Sequence, residues 1–147
     1  MKKSLSASAV SPESTREKAG VLLMAALSKK AVNPMLIRLS GLTSLTDYFI
    51  IVSARSAKQV RAVAEAILLE ARVHKFPRFS TEGVNQGNWA LLDFGDVIVH
   101  IFQPEFREFY DLEGLWAEAP REVFTGDLAR EIEAAAEAQE TPDEEDY

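Results

Sequence analysis

Trp89-Ala90-Leu91-Leu92-Asp93-Phe94-Gly95-Asp96-Val97-Ile98-Val99-His100-Ile101-Phe102 is two apolar runs joined by Asp93-Phe94-Gly95-Asp96. Apolar runs on either side of an acidic, glycine-bearing turn predict a β-hairpin. Two registers are open. With Phe94 and Gly95 as a two-residue loop, Asp93 stands opposite Asp96, Leu91 opposite Ile98 and Trp89 opposite His100. Such a loop needs positive φ at Phe94, so a type I turn with Gly95 in a bulge competes with it and shifts one strand by a residue. In the first register two like charges face each other, which destabilises a sheet and calls for positive charge nearby.

Upstream, Tyr48 to Ser53 is the most β-prone run and is apolar almost throughout, the pattern of a central strand covered on both faces. Ser56-x-x-Gln59 is a capping box. After it Val60, Val63, Ala64, Ile67, Leu68 and Ala71 recur at helical spacing, and the helix ends near His74-Lys75, before Pro77. Phe76 to Ser80 reads as an edge strand, because Pro77 cannot donate to a ladder. Met35 to Leu39 reads as a short strand, with Asn33-Pro34 breaking the pattern before it. Ser11-Pro12 opens a first helix that runs to about Lys30.

Downstream, Pro104 starts a short helix with Phe106, Phe109 and Tyr110 on one face. Residues 117–125 read as a linker or a short helical turn, Asp127 to Gln139 as helix by propensity, and Glu140 to Tyr147 as disordered acidic chain. The expected fold is α/β (α+β): a single mixed sheet of about five strands with helices packed on it. The division is a flexible N-terminus over 1–10, one domain over 11–120 and an acidic, partly helical or disordered tail over 121–147.

The 147 residues suffice for one domain with a core. No apolar run is long enough to span a bilayer, and a cytoplasmic protein is expected. With no cysteine, disulfides, thiolate metal sites and cysteine nucleophiles are excluded together. The net charge of −7 is unevenly spread. Residues 1–81 hold thirteen bases against five acids, 82–126 two against nine, and 127–147 one against nine. The hairpin thus lies in an acidic half, which bears on partners rather than on fold.

For catalysis, Asp93 and Asp96 are the best carboxylate pair, but they flank a turn and read first as turn formers rather than metal ligands. No Walker-type loop is present. His100, alone on its strand, reads as a structural residue, and the second histidine, His74, suits a helix end. Arg55, Lys58, Arg61, Arg72, Lys75 and Arg78 around one helix are a weak footprint for RNA, with a solvated helix face as the favoured reading. Among the aromatics, Phe106, Phe109 and Trp116 read as core. Phe94, at the turn apex, reads as an exposed contact, and Trp89 stands open between core and contact.

Leu45-Thr46-Asp47-Tyr48-Phe49-Ile50-Ile51, Gln59-Val60, Glu82-Gly83, Trp89-x-Leu91-Leu92-Asp93-Phe94-Gly95-Asp96-Val97-Ile98-Val99-His100 and Arg107-x-Phe109-Tyr110-x-Leu112-Glu113-x-Leu115-Trp116 together resemble the ribosomal silencing factor (Iojap-like) family. The resemblance covers about Met35 to Trp116. Arg38 and Ala54 depart from it, standing where the family usually has an acid and a glycine. It implies a nucleotidyltransferase-like fold without catalytic residues, and a protein that is not an enzyme and uses no cofactor or small-molecule substrate. It implies binding to ribosomal protein L-fourteen on the large ribosomal subunit, which would block joining of the small subunit and repress translation when nutrients are short. Homodimers also occur in the family. The partner-binding residues so implied are Trp89 and Phe94 as anchors, Asp93 and Asp96 as charge partners, and Tyr110 as support.

Overall fold

The computed structural model describes residues 12–123. The expected flexible N-terminus, the helix over 127–139 and the acidic end lie outside these residues. In chain order the elements are α1 (Pro12–Ser28), β1 (Val32–Arg38), β2 (Tyr48–Ser53), α2 (Ala57–Val73), β3 (Ser80–Glu82), β4 (Trp89–Asp93), β5 (Val97–Phe102), α3 (Pro104–Tyr110), α4 (Leu112–Leu115) and β6 (Arg121–Val123). They build one mixed sheet, ordered β3-β4-β5-β2-β1-β6. β2 and β5 run parallel at its centre, and every other pairing is antiparallel. The continuous apolar runs of β2 and β5 fit that place, since every residue of both strands is buried.

Each face of the sheet has its own core. On one, α1 and α2 lay Leu22, Leu23, Val60, Val63 and Ile67 over Ile50, Val52, Leu92, Val99 and Ile101. On the other, among the described residues, Ile37, Phe49, Ile51, Ile98 and Phe102 are covered by the short α3–α4 segment through Phe106, Leu112 and Trp116. α2 begins where its capping residue stands: Ser56 Oγ accepts from Gln59 N at 3.1 Å. The Gln59 amide also donates to the carbonyls of Lys29 and Lys30, so it caps the end of α1.

The structure departs from expectation at three elements. β1 runs through Asn33-Pro34 on a bulge, with Asn33 at φ +53. The edge strand forms over Ser80–Glu82 rather than Phe76–Ser80, paired to Asp93, Leu92 and Leu91. A sixth strand, β6, pairs with Met35, Leu36 and Ile37. Three residues of mixed polarity carry too little alternation to announce a strand.

Candidate functional site

The hairpin takes neither expected register. Asp93 pairs with Ile98, Leu91 with His100 and Trp89 with Phe102. Phe94 N donates to Val97 O at 2.9 Å, leaving Gly95 and Asp96 as the loop, and Gly95 supplies the positive φ of +88. This is a slip of two residues from the first register, so Trp89 and His100 keep a common face. The alternation Ala90, Leu92 then extends one position further, to Phe94. That side chain is 2% exposed within the helix-side core. The expectation of an exposed Phe94 is therefore corrected: it sits one place short of the apex, where strand pleating still governs its direction.

The two aspartates do not face each other. Asp93 Oδ1 accepts from Gly95 N at 2.8 Å and shapes the turn. Asp96 Oδ1 pairs with Lys18 Nζ at 2.7 Å, and Thr15 Oγ1 donates to Oδ2 at 3.4 Å. Lys18 also donates to Phe94 O and lies 5.1 Å from the centre of the Phe76 ring. The positive charge demanded by an acidic hairpin comes from α1 of the same chain.

On the opposite face lies a layer of rings. Trp89 is half-buried, stacks on Phe102 at 4.9 Å and lies tilted against Tyr110 at 4.6 Å. Its indole Nε1 donates to His100 Nδ1 at 3.0 Å. His100 is 3% exposed, and its ring meets Phe49 edge-on at 4.5 Å. Burial pushes its pKa down from 6.5 to about 4, so the imidazole is neutral, with its proton on Nε2. Among the described residues Nε2 has no hydrogen-bond partner.

Tyr110 is 47% exposed and Phe109 78% exposed, with Leu115 also open. The core reading of Phe109 is thereby corrected. Although Phe109 follows Phe106 at i+3, no residue of this seven-residue helix is fully buried and only Phe106 packs against the core. Phe106 and Trp116 do pack on the core, although both stay partly exposed. Glu105, Glu108 and Asp111 stand exposed on the same short segment. The result is a ledge of Trp89, Tyr110, Phe109 and Leu115 with carboxylates beside it. Such a surface can bury rings against a basic partner.

Arg107 holds the ledge in place. Its guanidinium donates to Glu113 Oε2 at 2.6 Å, to Asn33 O at 2.7 Å and to Ser53 Oγ at 2.9 Å, tying α3 and α4 to β1 and β2. The sequence offers no signal for the bracing role of Arg107, because Asn33 and Ser53 lie far from it along the chain; His100 is the structural residue expected, with the Trp89 indole as its hydrogen-bond partner. Trp89, Tyr110 and His100 come together, whereas Phe94 and Asp96 point to the other side of the molecule or into it.

A family model described as "Ribosomal silencing factor during starvation" matches residues 12–147. The chain is 37% identical over 92 residues to the Ribosomal silencing factor RsfS of Halalkalibacterium halodurans, covering 63% of this chain and 79% of that one. A mouse protein named "Mitochondrial assembly of ribosomal large subunit protein 1" is 34% identical over 74 residues, covering 48% of this chain and 32% of that one. A crystal structure of a Chromobacterium violaceum protein superposes with a TM-score of 0.69 at 30% identity, covering 76% of this chain and 92% of that one.

Proposed function

Because the chain belongs to the ribosomal silencing factor family, we propose that it binds ribosomal protein L-fourteen on the large ribosomal subunit and blocks docking of the small subunit. It would act in the cytoplasm as a translation repressor when nutrients are short. The observation that carries this reading is the ring layer on the thinly covered face of the sheet. There Trp89 is oriented by His100 and backed by Phe102, with Tyr110 and Phe109 open to a partner. Preoriented aromatics bind with little loss of side-chain freedom.

Occupying a surface requires no catalytic group, and the protein is read as a non-enzyme. Within the sequence-derived site, Trp89 and Tyr110 are the anchors and Asp93 the charge at the rim. Phe94 supports the fold from inside, and Asp96 is engaged by Lys18. The family's homodimers would compete for the same ledge.

The test is co-sedimentation with purified large subunits, with added small subunits to read the block. The wild-type chain is expected to travel with large subunits and to reduce joined ribosomes, and Trp89→Ala to do neither while staying folded. Undiminished binding by Trp89→Ala/Tyr110→Ala would remove the ledge from the interface. Sedimentation velocity of the free protein reads self-association separately.

A further inference from the structure

Charge is sorted between the two sides of the sheet. On the ledge side, Arg107 and the exposed Arg121 are held by internal acceptors, and Glu105, Glu108 and Asp111 are exposed carboxylates. The helix side is richer in exposed cations, although Glu17 of α1 is exposed there too. Lys29, Lys30, Arg55 and Lys58 are exposed, and none pairs with a carboxylate among the described residues. Gln59 gathers their backbones, accepting from Arg55 N at 2.6 Å and donating to the Lys29 and Lys30 carbonyls. At the far end of α2, Arg72, Lys75 and Arg78 are likewise exposed and unpaired among the described residues. The seventeen residues of α2 separate the two groups by about 25 Å. Between them stand Glu65, exposed, and Glu70, bonded to His74.

The second group borders a recess of about 420 Å³, lined by Leu68, Ala71, Arg72, Phe76, Arg78 and Phe94. An apolar floor with two guanidiniums among its walls suits a flat ring attached to an anion. Two groups of cations one helix length apart, with a recess for a flat ring at one of them, offer what a single strand of nucleic acid requires: charge along the backbone and a face for a base.

We infer that the helix side docks single-stranded RNA, with phosphates against the cations at both ends of α2 and one unstacked base in the recess against the Arg72 and Arg78 guanidiniums, since the Phe76 ring is already stacked by His74 at 5.4 Å and has Lys18 Nζ over it at 5.1 Å. This surface lies across the sheet from the ledge and adds a second partner class to the reading above without resting on it. Because the full chain is acidic overall, binding is local and strongly screened by salt.

The experiment measures binding of a short mixed-sequence oligoribonucleotide to the full chain across a salt series, beside a duplex of the same sequence. Each phosphate contact contributes about −0.7 to the slope of log affinity against log salt. Lys29→Gln/Lys30→Gln/Lys58→Gln is expected to lower the magnitude of that slope by about two. Arg72→Gln/Arg78→Gln is expected to weaken binding about tenfold or more and to erase the preference for single strand over duplex. Unchanged affinity and slope in both variants, or a wild-type chain that binds duplex as tightly as single strand, overturns the inference. So does RNA binding that appears only when the carboxylates over 140–146 are changed to amides, which would assign the surface to the chain's own acidic end. Trp89→Ala should keep its RNA affinity. Loss of subunit binding in that variant, with no RNA binding by the wild type, leaves the ledge standing and sinks the RNA surface. RNA binding together with undiminished subunit binding by Trp89→Ala does the reverse.

Discussion

The indole N–H of Trp89 is given to His100, and that one bond fixes both rings: the tryptophan at the edge of the sheet and the imidazole beneath it. The bond needs Nδ1 unprotonated. In the unfolded chain the imidazole takes up a proton near pH 6.5, whereas in the fold burial holds this off until about 4. As pH falls through that window the unfolded state gains a proton the folded state refuses, and stability declines. The loss approaches about 3 kcal/mol at the lower end. His100→Phe removes this term. Urea midpoints taken at about pH 7 and about pH 4.5 should therefore fall further in the wild type than in the variant. Equal falls would show that His100 is not the group responsible.

Phe94 and Tyr110 should part company when truncated. Phe94→Ala empties a core position and is expected to cost about 3–5 kcal/mol in denaturant unfolding. Tyr110→Ala should stay within about 1 kcal/mol of wild type yet weaken large-subunit binding about tenfold. Phe94→Leu, which keeps most of the volume, should bind subunits normally. A binding defect in that variant would return Phe94 to the interface.

Asp96→Asn leaves the Lys18 ammonium, only 12% exposed, without its carboxylate. The pair is partly solvated, so the expected cost is about 1–2 kcal/mol. It should appear as a lower denaturant midpoint with co-sedimentation unaltered. Weaker subunit binding at unchanged stability would mean that Asp96 answers to a partner after all.

Gly83→Ala tests how firmly the ledge is seated. Gly83 has φ +78, and a Cβ there would overlap the backbone carbonyl oxygen of Trp89. A side chain in the left-handed region costs about 1–2 kcal/mol before any overlap is relieved, so a total of about 2–4 kcal/mol is expected. Relief must move Trp89, and a shift in tryptophan fluorescence should accompany the lost stability. Near-wild-type stability and spectrum would contradict the packing around Gly83.

Much of the fold was legible because the apolar pattern alone decides it. α2 appears where Ser56 and its helical spacing put it, and Val60, Val63, Ala64, Ile67 and Ala71 are all buried. The fully apolar β2 and β5 form the sheet centre. The site was less legible, since a hairpin's face assignments survive a two-residue slip while its loop does not. That slip carried Phe94 inward and separated Asp93 from Asp96. The cation for Asp96 lies on α1, 78 residues away along the chain, where no local pattern could reveal it. Phe109 shows the complementary limit: helical spacing says which residues share a face, but a seven-residue helix is too short for its pattern to say how much of that face is covered.

β6 has a consequence for how the molecule ages. It is three residues long, joined to β1 at Met35, Leu36 and Ile37 after more than half the chain has intervened. Closing so long a loop for so few hydrogen bonds makes this the cheapest part of the sheet to open. Amides of Arg121 and Glu122 should exchange with solvent well before those of β2. Each opening also bares the backbone of Met35 to Arg38, beyond the point where Pro34 blunts the strand, and an uncovered edge is a template for a neighbouring chain. During heating or storage, aggregation should begin from β1, and a substitution that weakens β6 would hasten it with the core still intact.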